Sequence, residues 1–298
     1  SFDPESPNFN KATPYLNSEH GAIDFFRNSS SFSNSLAFDG ASENGSYRFS
    51  YTNLYQNGIM PNSNLDKNSV SLAGSYNLTK NVTISTNINY VNVKTKGRNS
   101  VGYSDNILSS FRQWWQVNVD LEDQEAAYNV SGRNLTWNPA DYRTPDVPIF
   151  WNNPYWERNN NYQNDERNRV YGMAQLSWKF TDYLSLRVST YLDTYTQLQE
   201  ERKAVGSVAG RFGISRLDVQ SGYSKFNKSF LEVNTEGILT YSDQITEGFS
   251  LTAFIGANIR RNHQQTTLAS TNGGLIVPEL YALSNSVNPS LQPMETDW

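Results

Sequence analysis

The 298-residue sequence has no cysteine, only two histidines (His20 and His263), three methionines and no uninterrupted apolar run near 18 residues. Without cysteine there is no disulfide framework, thiolate metal site or cysteine nucleophile. Two histidines are too few for a multi-histidine metal site. A membrane-crossing helix needs roughly 20 apolar residues, and a mean hydropathy of -0.64 fits none. A membrane-crossing strand needs far fewer. Charged residues reach 18% with a formal net charge of -5, below the roughly 25% charged content of ordinary domains. No basic run offsets the acidity, so nucleic acid is not an expected partner.

In place of charge there is asparagine and serine, about 35 of each, with 18 tyrosines, 15 phenylalanines and seven tryptophans. This mixture is poor in helix formers and rich in strand and turn formers, which points to an all-β chain.

Period-two alternation recurs along the chain. From Val82 the even positions read Val82, Ile84, Thr86, Ile88, Tyr90 and the odd ones Thr83, Ser85, Asn87, Asn89, one apolar and one polar face of a strand. Seven further stretches alternate: Phe32 to Phe38, Tyr47 to Tyr55, Val70 to Leu78, Val170 to Phe180, Leu184 to Leu192, Leu231 to Tyr241 and Phe249 to Ile259. Tight turns at Glu43–Ser46, Thr79–Asn81, Thr181–Tyr183 and Ser242–Gly248 carry Asn, Gly or Asp, as hairpins do. Long loops alternate with them, from about Gly58 to Asp66, Gly97 to Glu166, Thr196 to Phe226 and from Asn262 onward. Short turns at one end and long loops at the other describe an antiparallel transmembrane β-barrel of the bacterial outer membrane. Phe38, Tyr47, Tyr76, Trp178, Phe180, Tyr183, Tyr241 and Phe249 flank the tight turns, where a barrel places an interfacial girdle; Tyr55 and Tyr90 suit a second ring. A soluble sandwich is the competing reading, but it does not sort its loops by length.

Arg48, Lys179, Arg187, Asp193, Glu232, Glu236 and Arg260 fall on the polar face. Charges need water or partners, and eight strands enclose a lumen only wide enough for their own side chains; internal ion pairs could satisfy the charges there, but a wider barrel satisfies them more easily. The organisation read from this is coil or loop over residues 1–28, barrel strands over 29–262 with a major extracellular loop at about 97–166, and an extracellular loop segment over 263–298. With no signal segment at the start and no alternation from Asn288 to Trp298, the chain reads as part of a longer one.

Three groups of residues resemble the SusC/RagA-type TonB-dependent transporters of Gram-negative outer membranes. The first is Asn34-Ser35-Leu36-Ala37-Phe38-Asp39-Gly40-Ala41-Ser42, then Tyr47–Tyr51 and Gln56–Ser63. The second is Asn153-Pro154-Tyr155-Trp156 followed by Arg167–Phe180. The third is Thr271-Asn272-Gly273 with Leu283–Ser286. Their order and spacing carry the resemblance, since each alone is a few residues of barrel wall. It implies a plugged barrel of about 22 strands that imports oligosaccharides or peptides, with a SusD-like surface lipoprotein as lid and outer-membrane lipid around the wall. It also implies coupling to the TonB complex through a plug and TonB-binding segment that are not in this sequence. An alternative from another class is a self-contained small outer-membrane barrel with an adhesive or structural role.

The major loop holds five of the seven tryptophans. Trp114, Trp115, Trp151, Tyr155 and Trp156 are the expected ligand-contacting residues, with Trp137 nearby; the competing reading makes them the loop's own core. Ser104–Gln116 suits a short helix capped by Asp105. No catalytic residue, metal site or cofactor is expected. Asp120, Glu122, Asp123 and Glu125 lack the spacing of a calcium loop and read as a solvated face, as does Glu200-Glu201-Arg202-Lys203. His263 beside Arg260 and Arg261 reads as a loop residue. The Asn-X-Ser/Thr sequons at Asn28, Asn77, Asn81, Asn129 and Asn227 are expected by chance in so asparagine-rich a chain.

Overall fold

A computed structural model describes residues 9–12, 14–101, 103 and 106–298. Eight long strands form one antiparallel sheet: β1 (Ser31–Ser42), β2 (Gly45–Asn57), β3 (Asn64–Thr79), β4 (Val82–Arg98), β7 (Gln163–Lys179), β8 (Leu184–Lys203), β11 (Gly222–Thr246) and β12 (Phe249–Ser270). The intervening β5 (Pro139–Asp141) and β6 (Thr144–Pro148), and β9 (Gly210–Phe212) and β10 (Leu217–Val219), are small ribbons within the loops. Beyond β12, β13 (Asn272–Leu275) pairs β14 (Ser286–Asn288), and β15 (Met294–Asp297) joins the main sheet as its ninth strand. Each of the eight alternating stretches falls on one long strand, with only Phe180 lying just beyond the end of its own.

Through the middle of the eight long strands one register holds. Leu36, Tyr51, Val70, Tyr90, Val170, Thr194, Leu231 and His263 stand opposite one another in a single row. A second row reads Phe38, Phe49, Leu72, Ile88, Gly172, Leu192, Val233 and Arg261. Side chains alternate faces with period two, so a one-residue slip in mid-strand would send a whole strand's apolar set to the wrong side; the register shifts between the long strands fall at their ends, at Asn77/Thr79, Lys96/Arg98 and Gln244/Thr246. The opposite face gathers the charges, which pair across strands as Arg48 with Asp39, Arg169 with Asp193 and Arg260 with Glu232.

Burial is inverted relative to a soluble sandwich. Ile84, Ile88, Tyr76 and Ile255 are 41, 44, 53 and 72% exposed, and among the described residues no second sheet covers the apolar face. The buried apolar side chains, among them Phe25, Leu121, Leu135 and Tyr155, lie instead at the long-loop end. No described helix is long and apolar enough to cross a membrane, which says nothing of strands.

At the other end the turns are short. Thr79 Oγ1 accepts from the backbone N–H groups of Asn81 and Val82, and Thr181 Oγ1 does the same for Tyr183 and Leu184, side-chain bonds that favour a turn over a continued strand. The turn after β11 is only Glu247–Gly248, because the strand continues to Thr246 through an irregular pairing beyond Gln244. Trp178 packs on Phe180 and Tyr183 on Tyr241 beside these turns.

Several strands outrun their alternating stretches. β8 continues through Glu200–Lys203, β11 begins at Gly222 and β12 runs to Ser270, where both faces are polar and period two vanishes from the sequence. Glu200–Lys203 is therefore sheet and not a solvated run: Lys203 is 3% exposed and Arg202 lies over the rings of Tyr162 and Tyr281. His263 is likewise a strand residue, facing Asp297 at 3.4 Å. The non-alternating end of the chain contributes β15, paired to β12 over Gln265–Leu268.

Both edges stay open among the described residues: β1 pairs only β2, and β12 meets β15 over four residues. Within the ladder, a Cβ at Gly172 would stand 2.1 Å from the Asn87 carbonyl oxygen of the adjacent strand, whereas one at Gly237 on the same face meets nothing within 4 Å. Gly172→Ala is expected to destabilise the complete protein by about 1–3 kcal/mol and Gly237→Ala far less, checked by urea titration in lipid vesicles.

Candidate functional site

The loop between β4 and β7 folds into a cap with its own helices. Asn106 caps α1 (Ile107–Ser109) by accepting from Leu108 N–H at 3.1 Å, and α1 runs directly into a π-helical turn over Ser110–Trp114. This is the helix expected at Ser104–Gln116, shorter and capped by Asn106; Ser104 and its expected cap Asp105 lie outside the described residues. Asp120 caps α2 (Leu121–Ser131), which ends at Gly132 in the left-handed conformation (φ 67°) that glycine tolerates. Asn153 caps α3 (Pro154–Asn160), accepting from the N–H groups of Tyr155 and Trp156, with Pro154 in the first turn.

Asparagine amides do the work of a ladder where there is no sheet. The fully buried Asn153 donates to the carbonyls of Gln124 and Leu135. Asn134 donates to Asn152 Oδ1 and to the Gly206 carbonyl, and Asn152 Oδ1 accepts from Val208 N–H. Asn161 accepts from Ala204 N–H and Ser207 Oγ. These bonds join the β4–β7 loop to the β8–β11 loop. Arg158, 3% exposed, donates to the carbonyls of Pro61 and Gly97, bringing in the β2–β3 loop; burial lowers its pKa, with Glu157 opposing.

The amino-terminal segment, expected as coil, supplies the centre of the cap. A 3-10 turn at Ala22–Phe25 inserts Phe25, 1% exposed, against Ile107, Leu121 and Tyr155. Its ring meets Phe111 at 5.0 Å and Tyr155 at 5.2 Å, edge to face. Nothing in local periodicity marks Phe25 for this role.

The five aromatic residues expected to meet ligand divide accordingly. Tyr155 and Trp156 are 6 and 5% exposed, and burial pushes the Tyr155 phenol up to about 12. Trp115 packs on Phe111 and Trp137, and Trp151 meets Tyr103 edge-on at 6.3 Å. Trp114 is half exposed. The acids of α2 are engaged: Asp120 and Glu122 face the two ring nitrogens of His20, and Glu125 pairs with Arg27. Among the described residues no three His, Cys, Asp or Glu side chains gather for a metal.

No family model and no curated protein matches the chain. Solved structures do. The RagAB peptide transporter matches with a TM-score of 0.69 at 15% identity, over 97% of this chain and 31% of that one. The RagAB peptide importer matches over the same shares at the same identity in its 'closed-closed' and 'open-open' states, with TM-scores of 0.68 and 0.67. The likeness is one of fold. The chain thus spans about a third of the length of those importer chains, and its large antiparallel sheet has the fold of a section of their barrels.

The cap generates two predictions. Replacing Tyr155 and Trp156 together by Ala empties the cap core, at about 3–5 kcal/mol for one large aromatic, and should expose the loop to protease; Trp114→Ala should leave cleavage unchanged. The second concerns His20. Burial alone lowers its pKa, but the Asp120 hydrogen bond and the charges of Asp120, Glu122 and Glu19 outweigh this, so the net shift is upward from 6.5. The clamp's contribution is therefore complete below pH 6.5 and is lost as pH rises through the higher folded value. The hydrogen-exchange protection of the Leu121 amide, which donates to the His20 carbonyl, should fall over that range and become pH-independent in His20→Gln.

Proposed function

We propose that this chain is a section of wall, with its extracellular cap, of a SusC/RagA-type TonB-dependent importer in the outer membrane of a Gram-negative bacterium. The observation that carries this is the uncovered apolar face, held in one register over eight strands, on a sheet whose two edges lack partners. Apolar surface of that extent is not left bare in water, and lipid satisfies it. Unpaired backbone in hydrocarbon costs several kcal/mol per group, so further strands complete the ring, in keeping with a barrel of about 22 strands. A self-contained small barrel needs β1 to meet β12 or β15, and they do not pair.

The role is capture and passage of cargo. Peptides are favoured by the likeness to the RagAB peptide importer, and oligosaccharides are the second cargo class. A SusD-like lipoprotein closes over the outer mouth, and the TonB complex acts through parts of the protein outside this sequence. The cap meets the cargo first, and of the residues Trp114, Trp115, Trp151, Tyr155 and Trp156, Trp114 has the freest ring for stacking.

Two measurements test this. Ile84→Arg, Ile88→Arg or Val188→Arg should each cost roughly 2–4 kcal/mol in bilayer folding, and Ser85→Arg or Asn87→Arg much less; the reverse order would place lipid on the wrong face. Cells carrying Trp114→Ala in the complete protein should take up cargo about fivefold less at limiting concentration, with unchanged abundance in the outer membrane. Cells lacking the protein that still import peptides and oligosaccharides normally would defeat the importer reading.

A further inference from the structure

On the polar face, three residues beyond Tyr90 towards the long-loop end, one row across the sheet reads Lys67, Val93, Arg167, Gln197, Lys228. A cation therefore stands on every second strand. Adjacent strands lie about 4.8 Å apart, which spaces neighbouring cations by about 10 Å. Among the described residues none of the three makes an ion pair, whereas the basic residues nearest below them are neutralised, Arg169 by Asp193 at 2.6 Å and Arg260 by Glu232 at 2.7 Å. Arg167 and Lys228 both lie over the ring of Tyr195, at 5.5 and 5.6 Å from its centroid. Tyr195 in turn stacks on Phe230 at 5.1 Å. Two cations on one ring repel each other, and among the described residues no carboxylate pairs with either.

Resting on the importer reading, which makes this face the lumen wall, we infer that the row Lys67–Arg167–Lys228 is a binding track for acidic peptides. An extended polyproline-II peptide has three residues per turn and rises about 3.1 Å per residue, so side chains at i, i+3 and i+6 share one face at about 9.3 Å intervals. Carboxylates at those positions match the cation spacing, and the Tyr195–Phe230 pair offers an apolar platform for the residues between. The net charge of -5 makes an unneutralised cationic row on this wall the more selective. The track would favour peptides carrying Asp or Glu at every third position over their amide counterparts.

The test uses the complete transporter purified in detergent, with a fluorescent peptide bearing Glu at every third position, its Gln counterpart and an oligogalacturonate. The Glu peptide is expected to bind about tenfold more tightly than the Gln peptide at low salt, with the preference shrinking at higher ionic strength. Lys67→Gln, Arg167→Gln and Lys228→Gln together should abolish the preference and leave the Gln peptide unaffected. Arg167→Gln alone should reduce it, and Lys179→Gln, on the same face near the tight turns, should preserve it. Equal binding of the two peptides by the unaltered protein, or a preference that survives in Arg167→Gln and the triple variant, would overturn the track alone. Oligogalacturonate binding more tightly than the Glu peptide would overturn its assignment to peptides. Failure of both peptides to bind would overturn the importer of peptides and the track with it.

Discussion

The main sheet depends on one demand, that the backbone N–H and C=O groups of each strand find partners in the strands beside it. An antiparallel ladder meets it only if register persists from strand to strand, and once register persists parity follows. Leu36, Val70, Val170 and Leu231 come to share a row although they are separated by up to 195 positions in sequence. The charges reach the other face by the same rule, where cross-strand partners such as Asp193 for Arg169 hold them. Gly172 belongs to the same constraint, since a side chain there would push against the neighbouring strand's carbonyl.

Above the wall the demand is met in another way. The cap has irregular backbone, and its buried polar groups are satisfied by side chains with both a donor and an acceptor. Asn134, Asn152, Asn153 and Asn161 each join segments from different loops or helices. The abundance of asparagine is thus partly a structural signature, with amide side chains standing in for the ladder where strands end. Aromatic packing then fills the space those amides define, with Phe25 at its centre.

The wall was legible because its physics is local: period two in the sequence maps directly onto faces, and the eight alternating stretches each mark one strand. Legibility ended where a strand leaves the apolar zone. From Thr196 to Lys203 both faces are polar, and the pairing of those residues with Gly222–Ser229 is written in register rather than in composition. β15 escaped notice for the same reason. In the cap, the tryptophan cluster was visible, but whether a ring packs inward or outward depends on segments far away in sequence. Tyr155 packs inward on Phe25, which arrives from the amino-terminal segment to meet the core, and nothing around residue 155 announces that partner.

Arg158 has a consequence for how the sheet is assembled. Nearly all of its long strands are joined in sequence to the strand they pair with, which lets hairpins zip one after another at small entropic cost. The widest gap is the junction of β4 with β7, where residues 99–162 intervene, against residues 204–221 between β8 and β11. Arg158 sits near the end of that excursion and grips the Gly97 carbonyl near its beginning. For the chain's conformational search, a compact cap fastened in this way turns a long detour into a closed hairpin, so the sheet can propagate from β4 to β7 as if the two were neighbours.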